Sequence, residues 1–142
     1  MTRQEEKDRA YMAMADDFGQ LSHAVRAKVG CVIVSDKGQI ISQGYNGTPS
    51  GRDNSCEYVG DDGELHTKAE VLHAESNAIT KCAKWGSTTD GATLYVTLSP
   101  CMECSKLIIQ SGIRRVVYKE LYRNGDGLDL LSDLGIKVDK IQ

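Results

Sequence analysis

A chain of 142 residues with 40% hydrophobic residues has the size of one ordinary domain, and we expect a single domain that covers residues 1–142. Its formal net charge of -3 and its aromatic content of 6% argue against a nucleic-acid polymer as partner, because such binding usually depends on clustered basic charge and stacking aromatic side chains. The chain shows neither an apolar stretch that could span a membrane nor an N-terminal targeting pattern, so we expect a cytoplasmic protein without membrane contact.

The first predicted element is a helix that begins at Thr2. Thr2 and Glu5 have the spacing of a capping box, and apolar residues then recur at helical intervals as far as Leu21. Two short runs rich in β-branched residues follow, with turn residues between them. They predict an antiparallel hairpin of Gly30–Ser35 with Gln39–Tyr45.

The second half of the chain alternates helices and strands, after a stretch without periodicity. Residues 46–69 are rich in Gly, Asp, Ser and Asn, and we expect a long functional loop there. The elements predicted after it are a helix from His73 to about Gly86, a strand at Thr93–Leu98, a helix capped by Ser99 that closes at Gly112, a strand at Arg114–Lys119, a helix at Leu128–Gly135 and a strand at Ile136–Ile141. The order α-β-β-α-β-α-β-α-β predicts a five-stranded sheet between layers of helices.

One candidate metal centre combines His73 with the two cysteines of Pro100-Cys101-Met102-Glu103-Cys104. Cysteines three apart in the first turn of a helix lie about 60 degrees apart around its axis, so both sulfurs can reach one ion. The helix N-terminus also favours the thiolate, which is the metal-binding form. With the imidazole of His73 there are three ligands, which leave open the fourth tetrahedral position that a catalytic zinc needs.

Glu75 is the candidate acid and base beside that ion. Residues i and i+2 inside a helix diverge by about 200 degrees, so His73 and Glu75 can face one pocket only if His73 lies at the helix cap. We therefore expect both helix starts to converge at the carboxyl ends of neighbouring strands. A zinc ribbon would need a fourth ligand and a thioredoxin-like motif would need no upstream His-x-Glu, whereas H-x-E…P-C-x-x-C is the signature of zinc deaminases.

The chain resembles the deoxycytidylate (dCMP) deaminases in four segments that span most of its length. These are KVGCVIV (Lys28–Val34), GYNGTPSG (Gly44–Gly51), HAESNAI (His73–Ile79) and TLYVTLSPCMECSKLIIQSGIRRVVY (Thr93–Tyr118). The resemblance implies a cytidine deaminase-like three-layer α-β-α sandwich with a five-stranded mixed sheet. It also implies hydrolysis of dCMP to dUMP and ammonia, which supplies thymidylate synthesis.

The resemblance assigns the zinc to His73, Cys101 and Cys104, where the ion would activate a water for attack on C4 of the pyrimidine, and it assigns the proton transfers to Glu75. For the substrate it implies contacts from the backbone around Ala74 and Ser99 to the pyrimidine, from Asn46 to the sugar, and from Arg26 with Tyr122 to the phosphate. Asn46 would alternatively be a turn residue, and Arg26 and Tyr122 ordinary surface residues.

Regulation and assembly are also expectations from the resemblance. Many relatives are homohexamers that dCTP activates and dTTP inhibits, each with Mg²⁺, and Tyr45, Gly47 and Lys84 match the effector site. Lys84 is equally consistent with a solvated lysine at a helix end. A second, structural zinc at His23, Cys56 and His66 would require the long loop to fold back on the first helix, and the alternative is solvated or core side chains.

The remaining side chains with a possible role have ordinary explanations. Cys31 and Cys82 lie in apolar patterns typical of small core residues, and Trp85 fits either the core or an interface.

Two other functions remain open. The same scaffold could act on dCTP, a nucleoside or a polynucleotide, or the chain could be a non-catalytic zinc- and nucleotide-binding assembly protein. Glu75 argues against the latter, because a structural zinc needs no carboxylate outside its ligands.

Overall fold

The computed structural model describes residues 1–141, which form four helices and seven strands. In chain order they are α1 (Arg3–Gly19), β1 (Gly30–Val34), β2 (Ile40–Tyr45), β3 (Glu57–Val59), β4 (Leu65–Thr67), α2 (Ala74–Trp85), β5 (Thr93–Leu98), α3 (Met102–Gln110), β6 (Arg115–Glu120), α4 (Asp126–Asp133) and β7 (Lys137–Lys140). None of the helices in this part of the chain combines the length and the apolar character that a bilayer crossing requires.

Five strands form a mixed sheet in the order β2-β1-β5-β6-β7. Strand β1 runs antiparallel to both β2 and β5, whereas β5, β6 and β7 are parallel. All five residues of β1 are buried, as expected for a β-branched central strand covered on both faces. Because β2 and β5 both run opposite to β1, their carboxyl ends meet the beginning of β1 at one edge of the sheet.

Helices cover both faces of this sheet, so the predicted three-layer α-β-α sandwich with a five-stranded mixed sheet is confirmed. Successive β1 residues contribute to opposite cores, because side chains alternate across a strand. The core under α1 contains Met12, Ala15, Val32, Val34, Tyr95 and Val117. The core under α2, α3 and α4 contains Cys31, Ile33, Ala74, Ala78, Cys82, Leu94, Val96, Ile108, Val116 and Leu131, among others, which confirms Cys31 and Cys82 as core residues.

The first helix begins as predicted but ends earlier. The Thr2 hydroxyl accepts a hydrogen bond from the Glu5 backbone N–H at 3.1 Å, which is the capping contact that the sequence indicates. The helix ends at Gly19, and Leu21, which the apolar pattern placed on it, is 55% exposed.

The prediction that Ser99 caps α3 is wrong, because the cap is Cys101. Ser99 is held in the sheet edge instead, where its backbone N–H donates to the Glu120 carbonyl at 2.8 Å. Its hydroxyl accepts from the Tyr122 backbone N–H at 2.7 Å, so it is not available to a helix start. The two cysteines predicted to bind a metal, Cys101 and Cys104, therefore occupy the cap and the first turn of α3.

The stretch predicted as a loop over residues 46–69 contains a second sheet, made of β3 and β4. Glu57 pairs with Thr67 and Tyr58 with His66 across this short antiparallel hairpin. Three-residue strands are too short for the alternation of polar and apolar residues to stand out from a Gly- and Asp-rich background. The hairpin lies beside the site described next.

Candidate active site

Helix α2 begins at the sheet edge where β2 and β5 end. An antiparallel bridge between Gly47 and Leu72 ties the residue before His73 to the end of β2. Gly44 allows the helix to rest directly on this strand, since a Cβ at Gly44 would lie 2.6 Å from the Ala74 carbonyl oxygen and 2.8 Å from the Ala78 nitrogen. His73 is the N-cap of α2 with an extended backbone, which confirms its predicted place at the helix start.

His73 meets both cysteines of α3 at this edge. Its Nδ1 lies 3.5 Å from the Cys101 sulfur and 3.4 Å from the Cys104 sulfur. The three ligand atoms all lie within 4.8 Å of one another, and no other group of three metal-binding side chains is this close within residues 1–141. The structure thus brings together the three predicted ligands from two helix starts.

The three side chains of this cluster change one another's pKa values. Hydrogen bonds from Cys104 and His73 lower the pKa of Cys101 to about 3, so Cys101 is a thiolate at neutral pH. The hydrogen bond with Cys101 and burial raise the pKa of Cys104, and the hydrogen bond with Cys101 raises the pKa of His73. A bound divalent cation favours the deprotonated form of each ligand, and two sulfurs with one imidazole are a donor set that zinc prefers.

Glu75 lies beside His73 and the two cysteines but is not one of the three candidate ligands. It is only 4% exposed, and burial raises its pKa to about 7 despite the opposing effects of a backbone hydrogen bond and of His73. A carboxyl group with a pKa near neutrality can both accept and donate a proton, which is what a general acid and base requires.

The cluster opens into a cavity of about 300 Å³. Its wall includes all five residues predicted to bind substrate, namely Arg26, Asn46, Ala74, Ser99 and Tyr122. Their proximity to Glu75 agrees with the expected roles, while their contacts with a ligand remain predictions.

Asn46 has structural contacts in this wall. Its Oδ1 accepts from the Val29 backbone N–H at 2.9 Å, and its Nδ2 donates to the Ala27 carbonyl at 2.8 Å. Asn46 therefore holds the segment between α1 and β1 against the cavity, whether or not it also contacts a sugar.

Three polar residues of the wall were not singled out from the sequence, namely Glu57, Thr67 and Arg123. Arg123 adds a second cation, and its guanidinium lies 5.5 Å from the centre of the Tyr122 ring. Its place directly after Tyr122, which was predicted to contact the phosphate, was the signal in the sequence that could have identified it. Glu57 and Thr67 carried no such signal, because only the hairpin brings them to the cavity.

A second cavity of about 400 Å³ includes two of the predicted effector residues, Tyr45 and Gly47. Its cations are Arg52 and Lys81, and the Lys81 ammonium lies 5.9 Å from the centre of the Tyr45 ring. Lys84 does not line this cavity and lies over the ring of Trp85, 5.3 Å from its centre. Trp85 is 74% exposed, so it does not belong to the core of this chain.

The structure does not assemble the second metal site expected at His23, Cys56 and His66. His66 Nε2 lies 2.9 Å from an Asp62 carboxylate oxygen, because both residues belong to the β3–β4 hairpin. Cys56 and His23 line the second cavity without His66. Since the one close group of three ligands among the described residues is His73 with the two cysteines, this expectation is not supported.

Residues 5–120 match the family described as the cytidine and deoxycytidylate deaminase zinc-binding region. The deoxycytidylate deaminase of Enterobacteria phage T4 is 39% identical over 78% of this chain and 77% of its own length. ComE operon protein 2 of Bacillus subtilis is 39% identical over 93% of this chain and 69% of its own. The crystal structure of dCMP deaminase from the cyanophage S-TIM5 with dCMP and dUMP superposes with a TM-score of 0.87 at 45% identity, covering 99% of this chain and 98% of that one.

Proposed function

The chain belongs to the family of cytidine and deoxycytidylate deaminases and is an enzyme of the deoxycytidylate deaminase type, and we propose that it hydrolyses dCMP to dUMP and ammonia at a zinc site. The observation that carries the proposal is the meeting of His73, Cys101 and Cys104 beside buried Glu75. The cyanophage relative was crystallised with dCMP and dUMP, which supports the same substrate here.

Glu75 performs the proton transfers of this reaction. It accepts a proton from the attacking water and passes it to N3 of the ring while the C4–O bond forms. It then takes the second proton from the new C4 hydroxyl and gives it to the amino nitrogen, so that the C4–N bond breaks and ammonia leaves. When bound by His73, Cys101 and Cys104, zinc supplies a water of lowered pKa.

The rest of the cavity binds the nucleotide. Arg26 and Arg123 provide two positive charges for the phosphate, and the Arg123 guanidinium lies over the Tyr122 ring. Ala74 and Ser99 line the same cavity and contact the pyrimidine. Asn46 holds the segment that follows Arg26 through its bond to the Ala27 carbonyl, and it lines the same cavity, where it contacts the sugar.

We further propose that dCTP activates and dTTP inhibits the enzyme, each with Mg²⁺, at the second cavity. Tyr45 and Gly47 line that cavity, and Arg52 and Lys81 offer positive charge for a triphosphate. In this proposal Lys81 has the role of effector contact that the resemblance suggests for Lys84. Residues 1–142 would act as a single deaminase domain in a cytoplasmic homohexamer that needs neither a membrane nor a nucleic-acid polymer.

Ammonia release from four substrates tests the function, namely dCMP, dCTP, deoxycytidine and cytosine in single-stranded DNA. We expect dCMP to have the highest kcat/KM, with dCTP and dTTP in the presence of Mg²⁺ shifting the dCMP saturation curve in opposite directions. Preference for single-stranded DNA or the free nucleoside would overturn the substrate assignment. A protein that binds zinc and nucleotide but releases no ammonia would instead be a non-catalytic assembly protein.

A further inference from the structure

We propose that the β3–β4 hairpin positions the phosphate-binding arginine, with Glu57 holding the backbone of Arg26 and Thr67 holding its side chain. Glu57 and Thr67 are therefore positioning residues that favour a nucleotide over a nucleoside. This inference rests on the proposed function, because it assumes that the substrate carries a phosphate.

Glu57 restrains the chain at Arg26 from 31 residues away in sequence. One carboxylate oxygen, Oε2, accepts from the Val25 backbone N–H at 2.8 Å and from the Arg26 backbone N–H at 3.1 Å. Hydrogen bonds to an ionised acceptor are stronger than neutral ones, so this double contact fixes where the side chain of Arg26 begins.

Thr67 restrains the other end of the same residue. Its hydroxyl oxygen accepts from Nη1 of Arg26 at 3.0 Å. A guanidinium has five N–H donors, so the contact orients Arg26 and still leaves donors for two oxygens of a phosphate. Glu57 and Thr67 are directly opposite each other across the hairpin, and side chains of such a pair share one face. A single hairpin face thus holds both ends of the arginine.

The positive charge of Arg26 is kept available for a ligand. No carboxylate within residues 1–141 forms a salt bridge with its guanidinium, while the charge of Glu57 is directed at backbone N–H groups. An exposed arginine normally loses side-chain freedom when it binds an anion, and prior restraint lowers this cost. The restraint therefore lowers KM for the phosphorylated substrate and leaves the chemistry at Glu75 unchanged.

Replacement of Glu57 by Ala tests this inference, because loss of positioning and loss of a negative charge change KM for dCMP in opposite directions. Loss of a negative charge beside a phosphate site would by itself improve phosphate binding, whereas loss of positioning weakens it. For Glu57→Ala we expect KM for dCMP to rise about tenfold, which equals about 1.4 kcal/mol, with kcat within about twofold. The kcat/KM for deoxycytidine should stay at the parental value. Glu64→Ala is the matched control, because Glu64 is exposed on the same hairpin and we expect parental kinetics.

A double-mutant cycle with Arg26→Met separates positioning from a general effect on folding. Because Glu57 acts through Arg26, Glu57→Ala should raise KM for dCMP no further when Arg26 is already replaced. Thr67→Val keeps a β-branched residue in β4 and should raise KM for dCMP in the same direction, so it serves if Glu57→Ala does not fold.

If the parent enzyme deaminates dCMP, three outcomes would contradict the inference. The first is a KM for dCMP in Glu57→Ala that equals or falls below the parental value, and the second is an equal loss of kcat/KM for dCMP and deoxycytidine in that variant. The third is a further, additive rise of KM for dCMP when Glu57→Ala is combined with Arg26→Met. A parent enzyme that does not act on dCMP would overturn the proposed function itself, and this inference with it.

Discussion

Glu75 shows how much of the chemistry depends on the surroundings of one side chain. Carboxylates are rarely buried unless they are paired, yet Glu75 is buried next to two sulfurs and an imidazole. Burial disfavours its charged form, which is why its pKa rises toward neutrality. The three candidate ligands can be recognised by their donor atoms, whereas the proposed role of Glu75 also depends on its burial in the fold.

Replacement of Glu75 by Gln should separate metal binding from catalysis. Glutamine keeps the shape of the side chain but cannot exchange protons, so we expect deamination to fall by about 10²- to 10⁴-fold. Zinc content, measured by elemental analysis, should remain parental because Glu75 is not a ligand. Glu103→Gln, at an exposed glutamate in the first turn of α3, should keep both activity and zinc. An active Glu75→Gln enzyme would disprove the assigned role.

At the scale of elements, the close contact of α2 with β2 sets the position of His73 and Glu75. The helix is near enough to the strand that Gly44 has no room for a side chain. The residue before His73 is also tied to the segment just after this strand by the Gly47–Leu72 bridge. The spacing of these two elements therefore helps to fix where His73 lies relative to the two cysteines of α3.

Gly44→Ala should disturb this arrangement. The new methyl group would meet backbone atoms of Ala74 and Ala78, and overpacking of this kind usually destabilises a protein by about 1–3 kcal/mol. We expect a lower midpoint in urea unfolding and reduced zinc content, since His73 precedes Ala74 directly. Gly125→Ala is the control, because nothing lies within 4 Å of a Cβ there. Unchanged stability and zinc content in Gly44→Ala would show that the close contact of α2 with β2 is not needed to hold His73 in place.

At the scale of the whole molecule, Asp8 connects the layer formed by α1 with the central sheet. Its side chain lies on the inner face of α1, and the residue is 8% exposed. Arg115 of β6 donates to both of its carboxylate oxygens at 2.9 and 2.8 Å, and the Tyr95 hydroxyl of β5 donates to it at 2.7 Å. Arg115 also donates to Asp139 of β7 at 2.9 Å. The network joins the first helix to three strands from the second half of the chain.

This network makes a pH-dependent contribution to stability. Burial alone would raise the pKa of Asp8, but hydrogen bonds from Arg115, Tyr95 and Gln4 outweigh it, and the pKa lies below 3.8. A carboxyl group with a lowered pKa stabilises the folded state above its unfolded pKa, and this contribution disappears as the pH falls through the folded value.

For Asp8→Asn we expect a loss of about 3 kcal/mol in the free energy of unfolding near neutral pH, because it leaves Arg115 without its main partner. The difference from the parent should stay constant down to about pH 5 and shrink below pH 3.8, as measured by urea unfolding. Asp16→Asn, which removes an exposed partner of Lys119 from the same helix, should cost less than about 1 kcal/mol. A pH-independent difference would contradict the assignment to Asp8.

Local chemistry explains what could be predicted. His73, Cys101 and Cys104 are recognisable because metal binding requires particular donor atoms at particular spacings, and Glu75 is recognisable by its place two residues after His73. The helix cap at His73 followed from the geometry of a helical turn, and the layered sheet followed from the order of apolar segments. Each of these inferences uses residues that are close in sequence or patterns that repeat along it.

Contacts between distant residues explain what could not be predicted. The sequence around Ser99 is typical of a helix cap, but its backbone pairs with Glu120, which is 21 residues away. The composition of residues 46–69 is typical of a loop, but two three-residue strands pair within them. His66 pairs with Asp62 on that hairpin and so does not join Cys56 and His23.

The amino-acid sequence by itself was enough to predict the three candidate metal ligands, to propose Glu75 as the proton carrier and to predict the three-layer fold, because donor chemistry and hydrophobic periodicity are properties of short segments. Only the tertiary structure decided which side chains hold Arg26 and how Asp8 ties α1 to the sheet. It also decided that Lys81, and not Lys84, lines the second cavity. Those contacts join residues that are separated along the chain, and their formation depends on how the elements pack, which no local pattern specifies.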